Sequence, residues 1–182
     1  MNDIETIYKT VAMPTLMEEF GLKNVMSVPS IVKVVVNMGT GEAAKNKEGW
    51  ARLQNELASM TGQKPKITTA RTSIAGFGLR AGQPVGLSVI LRKQRMLSFL
   101  RKLISIVLPR LRDFRGVKAS FDHAGNFTLG MTEHIVFPEI DFSKVDQPRG
   151  LEITVVIKNG NPEKSKRLLE LLGMPFEKKG DK

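Results

Sequence analysis

Residues 64–92, KPKITTARTSIAGFGLRAGQPVGLSVILR, decide the fold of this chain. Lys66 to Ala70 reads as a short strand, and Gly86 to Arg92 alternates as a returning strand does. Between them, residues 71–84 hold Gly76, Gly78, Gly82 and Pro84, a loop composition. Strands joined this way pair as an antiparallel hairpin, here with an unusually long tip. Long tips in compact domains commonly carry function.

Working outward, residues 93–108 form the clearest helix. Met96, Leu97, Leu100, Leu103, Ile104, Val107 and Leu108 fall on one stripe, Arg95, Arg101 and Lys102 on the other face, and Pro109 ends it. Upstream, residues 31–38, IVKVVVNM, are β-branched and bounded by Pro29 and Gly39, the pattern of a buried strand. Residues 47–61 place Trp50, Leu53, Leu57 and Met60 on a second amphipathic helix, stopped by Gly62. Residues 4–20 put Ile4, Ile7, Val11, Leu16, Met17 and Phe20 on a helical stripe, with Asp3 as cap and Gly21 as stop. Pro14 inside that stretch predicts a kink or two short helices.

Residues 110–150 are irregular, with a short strand expected at Phe127 to Met131. Leu151 to Lys158 is a strong strand. Asn161-Pro162 opens a final helix over residues 162–172, with Gly173 as stop. There is no internal repeat. Irregular alternation of strands and helices, with one antiparallel pair, predicts a two-layer α+β fold: a sheet with helices on one face, as a single domain over residues 1–182.

The charge is concentrated. Residues 64–118 carry thirteen basic side chains and one acid, Asp113, a net +12 in a chain whose total is +10. A solvated helix face normally mixes signs, because opposite charges a turn apart support a helix. From Lys64 to Arg112 there is no acid at all. Such a field beside a glycine-rich loop points to a polyanion, most directly nucleic acid. Arg71 and Arg80, hydroxyls, Phe77 and exposed backbone in residues 71–84 can all meet phosphates, 2′-hydroxyls or bases. The plainer alternative is a flexible tip with Phe77 folded back on the sheet.

Other classes find little support. The chain has no cysteine, which excludes disulfides, thiolate zinc sites and a cysteine nucleophile. His123 and His134 lack ligand spacing, and no phosphate-loop, zinc-protease or nucleophile-elbow motif occurs. Gly39-x-Gly41-x-x-Ala44 follows a strand and mimics a dinucleotide fingerprint. However, the next strand ends Thr69-Ala70-Arg71 without a ribose-binding acid, and Asn46 and Gly49 delay the helix. The N-terminus has no apolar signal core and is not Arg/Ser-rich, so a cytoplasmic chain is expected. The apolar run at 96–108 is too short and too charged to span a bilayer. As a basic amphipathic helix it could lie on an anionic membrane only by turning its apolar stripe outward.

Several segments together resemble the bacterial large-subunit ribosomal protein L five family. They are VPSIVKVVVNMGTGEA at 28–43, ELASMTGQKPKITTARTSIAGFGLRAGQPVG at 56–86 and LPRLRDFRG at 108–116. GNF at 125–127, HIVFPEIDFSKVD at 134–146 and RGLEITVV at 149–156 follow in order. The resemblance implies a non-catalytic structural protein, bound to the ribosome, with no cofactor and no metal. It implies contact with 5S ribosomal RNA in the central protuberance through Lys33, Asn37, Gln63, Lys64 and Arg92. The 71–84 loop, with Arg71, Ser73, Phe77 and Arg80, corresponds to an arm toward the peptidyl-site transfer RNA. Arg110, Arg112 and Arg115, with residues 134–142, correspond to an intersubunit bridge to a small-subunit head protein. Neighbouring 23S RNA and large-subunit proteins complete the implied partners.

The chain departs from the family in places. Ile90 replaces a common threonine, Thr72 and Gly78 stand where basic residues are common, and His123-Ala124 replaces Gly-Arg. The last 25 residues match weakly. The rival reading is a generic RNA-binding or anionic-surface-binding module outside the ribosome.

Overall fold

The structure is a computed structural model that describes residues 4–41, 47–112, 114–141, 145 and 147–177. The expected cap Asp3, the turn residues 42–46, the acid Asp113 and Phe142 at the end of the bridge segment lie outside the described residues.

Five strands form one open sheet: β1 (Ser30–Gly39), β2 (Lys66–Thr69), β3 (Pro84–Leu91), β4 (Phe127–Met131) and β5 (Leu151–Lys158), in the order β2-β3-β1-β5-β4. β2 and β3 are antiparallel, as the hairpin requires, with Lys66 opposite Ser88 and Thr68 opposite Gly86. The helices are α1 (Ile4–Ile7), α2 (Met13–Glu19), α3 (Lys47–Thr61), α4 (Lys93–Lys102) and α5 (Pro162–Leu171). The fold class is α+β.

The chain groups into two compact units. The first holds residues 1–34, 92–129 and 154–182, and the second holds 35–91 and 130–153. Three of the four boundaries fall inside β1, β4 and β5, and the fourth follows Leu91 at the end of β3.

In the second unit, strand alternation sorts the side chains by face. Val36, Met38, Leu87, Val89, Leu91, Leu151 and Ile153 are buried, and α3 adds Leu53, Leu57 and Met60. The alternate positions Val35, Asn37, Ser88, Ile90 and Glu152 are half-buried or exposed. α3 packs on β3, so this part of the sheet has one covered face and one open face.

The first unit contains the other four helices. A π turn, Tyr8–Ala12, joins α1 to α2, and a second one, Leu103–Val107, follows α4. Each precedes a proline, Pro14 or Pro109. A proline has no N–H and its ring crowds the carbonyl four residues back, here Thr10 or Ser105. Both carbonyls lie in a π turn, where the wider ring makes room. The carbonyl of Val11 instead takes the hydroxyl of Thr15 at 2.8 Å. The wider turn also moves the buried stripe: Ala12 is buried, whereas Val11, expected inside, is 47% exposed.

The stripe of the basic helix faces inward. Met96, Leu100, Leu103, Val107 and Leu108 are buried, joined by Phe99, and Leu97 and Ile104 are half-buried. The membrane-surface reading needs that stripe outward and therefore fails. Among the described residues no helix is long and apolar enough to cross a membrane.

α5 is capped as expected: the Asn161 side chain accepts the Lys164 N–H at 2.7 Å. Arg167 of α5 grips Glu19 of α2 with 2.6 and 2.9 Å hydrogen bonds, and the hydrogen bond from Arg167 holds the Glu19 carboxyl below its usual range. Whatever stability this exposed pair adds is therefore present above the unfolded carboxyl pKa and fades as pH falls through the folded one.

Gly125 closes a tight turn at φ +79°. A β-carbon there would sit 2.6 Å from Ser165 Oγ and 2.9 Å from the Asn161 backbone. Gly125→Ala is expected to cost about 2–3 kcal/mol in urea denaturation, from left-handed strain plus overpacking. A loss below about 0.5 kcal/mol would mean that α5 does not hold this turn as described.

Candidate nucleic-acid interface

Eleven of the thirteen basic residues in 64–118 are exposed, Arg101 and Lys102 are half-buried, and none is buried. The folded chain therefore presents its positive field to solvent instead of neutralising it in a core.

The open face of the second unit carries a row of polar groups across three strands. Asn37 of β1 lies between Ser88 of β3 and Glu152 of β5. Ser88 Oγ donates to Asn37 Oδ1 at 2.7 Å, and Asn37 Nδ2 donates to Glu152 Oε2 at 3.3 Å. Lys66, directly opposite Ser88, extends the row onto the edge strand β2. Just before β2, Gln63 Nε2 donates to the Ile90 carbonyl at 3.2 Å, and Lys64 is exposed. The second unit thus holds Asn37, Gln63 and Lys64 of the expected RNA set. The first holds Lys33, half-buried on β1 in phase with Asn37, and exposed Arg92.

Arg92 sits at the strand-to-helix junction before α4, where Lys93 takes φ +50°. A lysine rarely adopts this left-handed conformation.

Ser88, Glu152 and Lys66 are absent from the expected set. Alternation on β3 and β5 identifies their face, but their place beside Asn37 depends on strand order and register.

The residues between β2 and β3 are exposed from Arg71 to Gly78 but braced from within. Gly82 N–H donates to the Ala70 carbonyl at 2.9 Å, and Ile74 and Leu79 form a bridge. Ser73 Oγ accepts the Ala81 N–H at 2.9 Å, and Gln83 Oε1 accepts the Arg80 N–H at 3.1 Å. Ser73 therefore shapes the loop while keeping its hydroxyl hydrogen to donate. Phe77 is 79% exposed, so it is not folded back on the sheet. Gly78 ends a short turn at φ +61°, a conformation that suits glycine better than a basic residue. Arg71 and Arg80 are exposed, as are Arg110, Arg112 and Arg115 of the first unit.

His134 and the turn after Gly39 have partners within the chain. His134 is fully buried: its Nδ1 accepts the Arg149 N–H at 3.0 Å, and Nε2 faces Glu56 Oε2 at 3.4 Å. His123 is exposed. After Gly39, the Thr40 carbonyl accepts Arg149 Nη1 at 2.6 Å, so an arginine of the same chain meets this turn. The described part of α3 runs from Lys47 to Thr61 and includes Gly49, whereas Ala44 of the glycine motif and Asn46 lie outside the described residues. Among the described residues no group of three or more potential ligands could hold a metal.

Comparison with known proteins agrees with the sequence. Residues 24–80 match the family model "Ribosomal protein L5", and residues 84–176 match the model of the C-terminus of the same ribosomal protein family. The large ribosomal subunit protein uL5 of Dehalococcoides mccartyi is 52% identical over 170 residues, covering 93% of this chain and 95% of the relative. The protein of the same name from Chloroflexus aurantiacus is also 52% identical, over 93% of this chain and 94% of its own length. That of Caldanaerobacter subterraneus is 49% identical over 98% of this chain and all of the relative. This chain belongs to the ribosomal protein L5 family and is a structural, non-enzymatic constituent of the large ribosomal subunit.

Proposed function

We propose that the chain binds 5S ribosomal RNA in the central protuberance, using Lys33, Asn37, Gln63, Lys64 and Arg92. The observation that carries this reading is the open sheet face of the second unit. Its polar row through Asn37 offers donors and acceptors, with Lys66 beside Ser88 and Lys64 just before β2. Amide side chains suit base edges and 2′-hydroxyls, and lysines suit phosphates. The braced loop, with Arg71, Ser73, Phe77 and Arg80, contacts the peptidyl-site transfer RNA. Arg110, Arg112 and Arg115, with residues 134–142, take part in a bridge to a small-subunit head protein.

Filter binding to 5S RNA, with an unrelated RNA of equal length as competitor, tests the first contact. Gln63→Ala is expected to weaken the 5S complex by roughly threefold to thirtyfold, with the thermal melt almost unchanged. Equal affinity for both RNAs would reduce the reading to non-specific binding.

The loop is tested separately. Arg71→Ala combined with Arg80→Ala is expected to leave 5S affinity within about twofold and to weaken peptidyl-site transfer RNA in reconstituted subunits by roughly tenfold. Equal loss of both would refute the division of surfaces.

A further inference from the structure

We infer that Ser88 and Glu152 are positioning residues. They hold the Asn37 amide in one of its two flips, so that it reads a base edge or a ribose hydroxyl and not a phosphate. The inference rests on the proposed 5S contact and specifies its chemistry at one residue.

An asparagine amide has two ends of similar size and opposite polarity. Glu152 breaks that symmetry. An ionised carboxylate only accepts, so the group 3.3 Å from Glu152 Oε2 must be the Asn37 NH₂. This sends Oδ1 toward β3, where Ser88 Oγ lies at 2.7 Å and must donate its proton. Donation then runs one way, Ser88 to Asn37 to Glu152, each bond polarising the next. Because the flip follows from the acceptor-only carboxylate, it needs no observed hydrogens.

Two valences remain on the amide, one N–H and one lone pair of Oδ1. Their order is set: the donor lies toward β5 and the acceptor toward β3. A nucleotide edge with a matching acceptor and donor fits, and the reversed edge meets like against like. Glu152 also discriminates by charge. It is an exposed acid beside Asn37 on the face proposed for RNA. A phosphate brought to this amide would approach a carboxylate, whereas a neutral base edge or 2′-hydroxyl meets no such repulsion.

The test measures 5S RNA binding against salt for the full chain, with Ser88→Ala, Ser88→Thr, Asn37→Ala and the combination of Ser88→Ala with Asn37→Ala. Ser88→Ala is expected to weaken binding by roughly threefold to tenfold, Ser88→Thr to restore the hydroxyl donor and the affinity, and Ser88→Ala to change nothing beyond about twofold once Asn37 is alanine. Asn37→Ala is expected to lower affinity at every salt concentration without changing the salt slope, because no phosphate contact is lost. Glu152→Gln is expected to raise affinity more in the Asn37→Ala background than with Asn37 present, since only the latter loses the fixed flip.

Equal losses from Ser88→Ala in both backgrounds, or a salt slope shallower by about 0.7–0.9 in Asn37→Ala, would overturn the inference and leave the 5S contact standing. No loss at all in Asn37→Ala would instead remove this face from the 5S contact.

Discussion

Raising monovalent salt from 50 to 200 mM is expected to weaken the complex with 5S RNA by about a hundredfold to five hundredfold. The figure follows from counterion release. If about five of the exposed lysines and arginines each neutralise one phosphate, log K falls with log salt at a slope of roughly −3.5 to −4.5. The structure supplies the cations, since eleven of the thirteen in residues 64–118 are exposed. They are spread from Lys64 to Lys118, so only part of them meets one RNA. Thirteen contacts would give a far steeper slope, of about −9 or beyond. A fall of less than about tenfold would show that the basic third of the chain is not at the RNA. Competition with an unrelated RNA, run at each salt concentration, separates this general electrostatic term from the base-reading term proposed for Asn37 and Gln63.

Phe127→Ala is expected to be the most damaging single substitution proposed for the fold, at about 3–5 kcal/mol. Phe127 is fully buried. Phe121 lies 5.3 Å from it, tilted, and Phe176 lies 5.5 Å from it, edge-on, measured between ring centres. Removing the central ring opens a cavity and also breaks two aromatic contacts, each worth about 0.5–1.5 kcal/mol beyond its area. Phe121 and Phe176 belong to segments with little regular structure, tied to β4 and to Val117 by isolated bridges. The cluster therefore anchors chain that has few other means of holding its place. Urea denaturation should show a lower midpoint. Phe127→Leu, which keeps most of the volume, should cost about half as much or less. A loss below about 1 kcal/mol from Phe127→Ala would show that this ring is not central to the first unit.

Much of this protein is legible along the chain. β1, β3, β4 and β5 follow from β-branched runs and period-two alternation, and α3 and α5 from apolar spacing closed by Gly62 and Gly173. These signals are local, because a few residues of backbone geometry create them. The family is legible too, since GQKP, TTAR and the segments after them keep type and spacing together. The positive field is a sum over residue types, and the structure leaves it at the surface.

Other features arise between distant parts of the chain. Pro14 announces a disturbance, but the π turn that absorbs it and exchanges Val11 for Ala12 depends on what the helix packs against. Phe99 joins the core of the basic helix for the same reason.

The site shows the divide most clearly. Asn37, Ser88 and Glu152 are 51 and 64 residues apart in sequence and come together through the order β3-β1-β5. The type of each residue suggests a polar contact, and its place in the alternation gives the face. The direction of the hydrogen bonds depends on a carboxylate that can only accept, brought beside an amide that can turn either way. Sequence records the donors and acceptors of this chain, and strand pairing decides which of them remain for a partner.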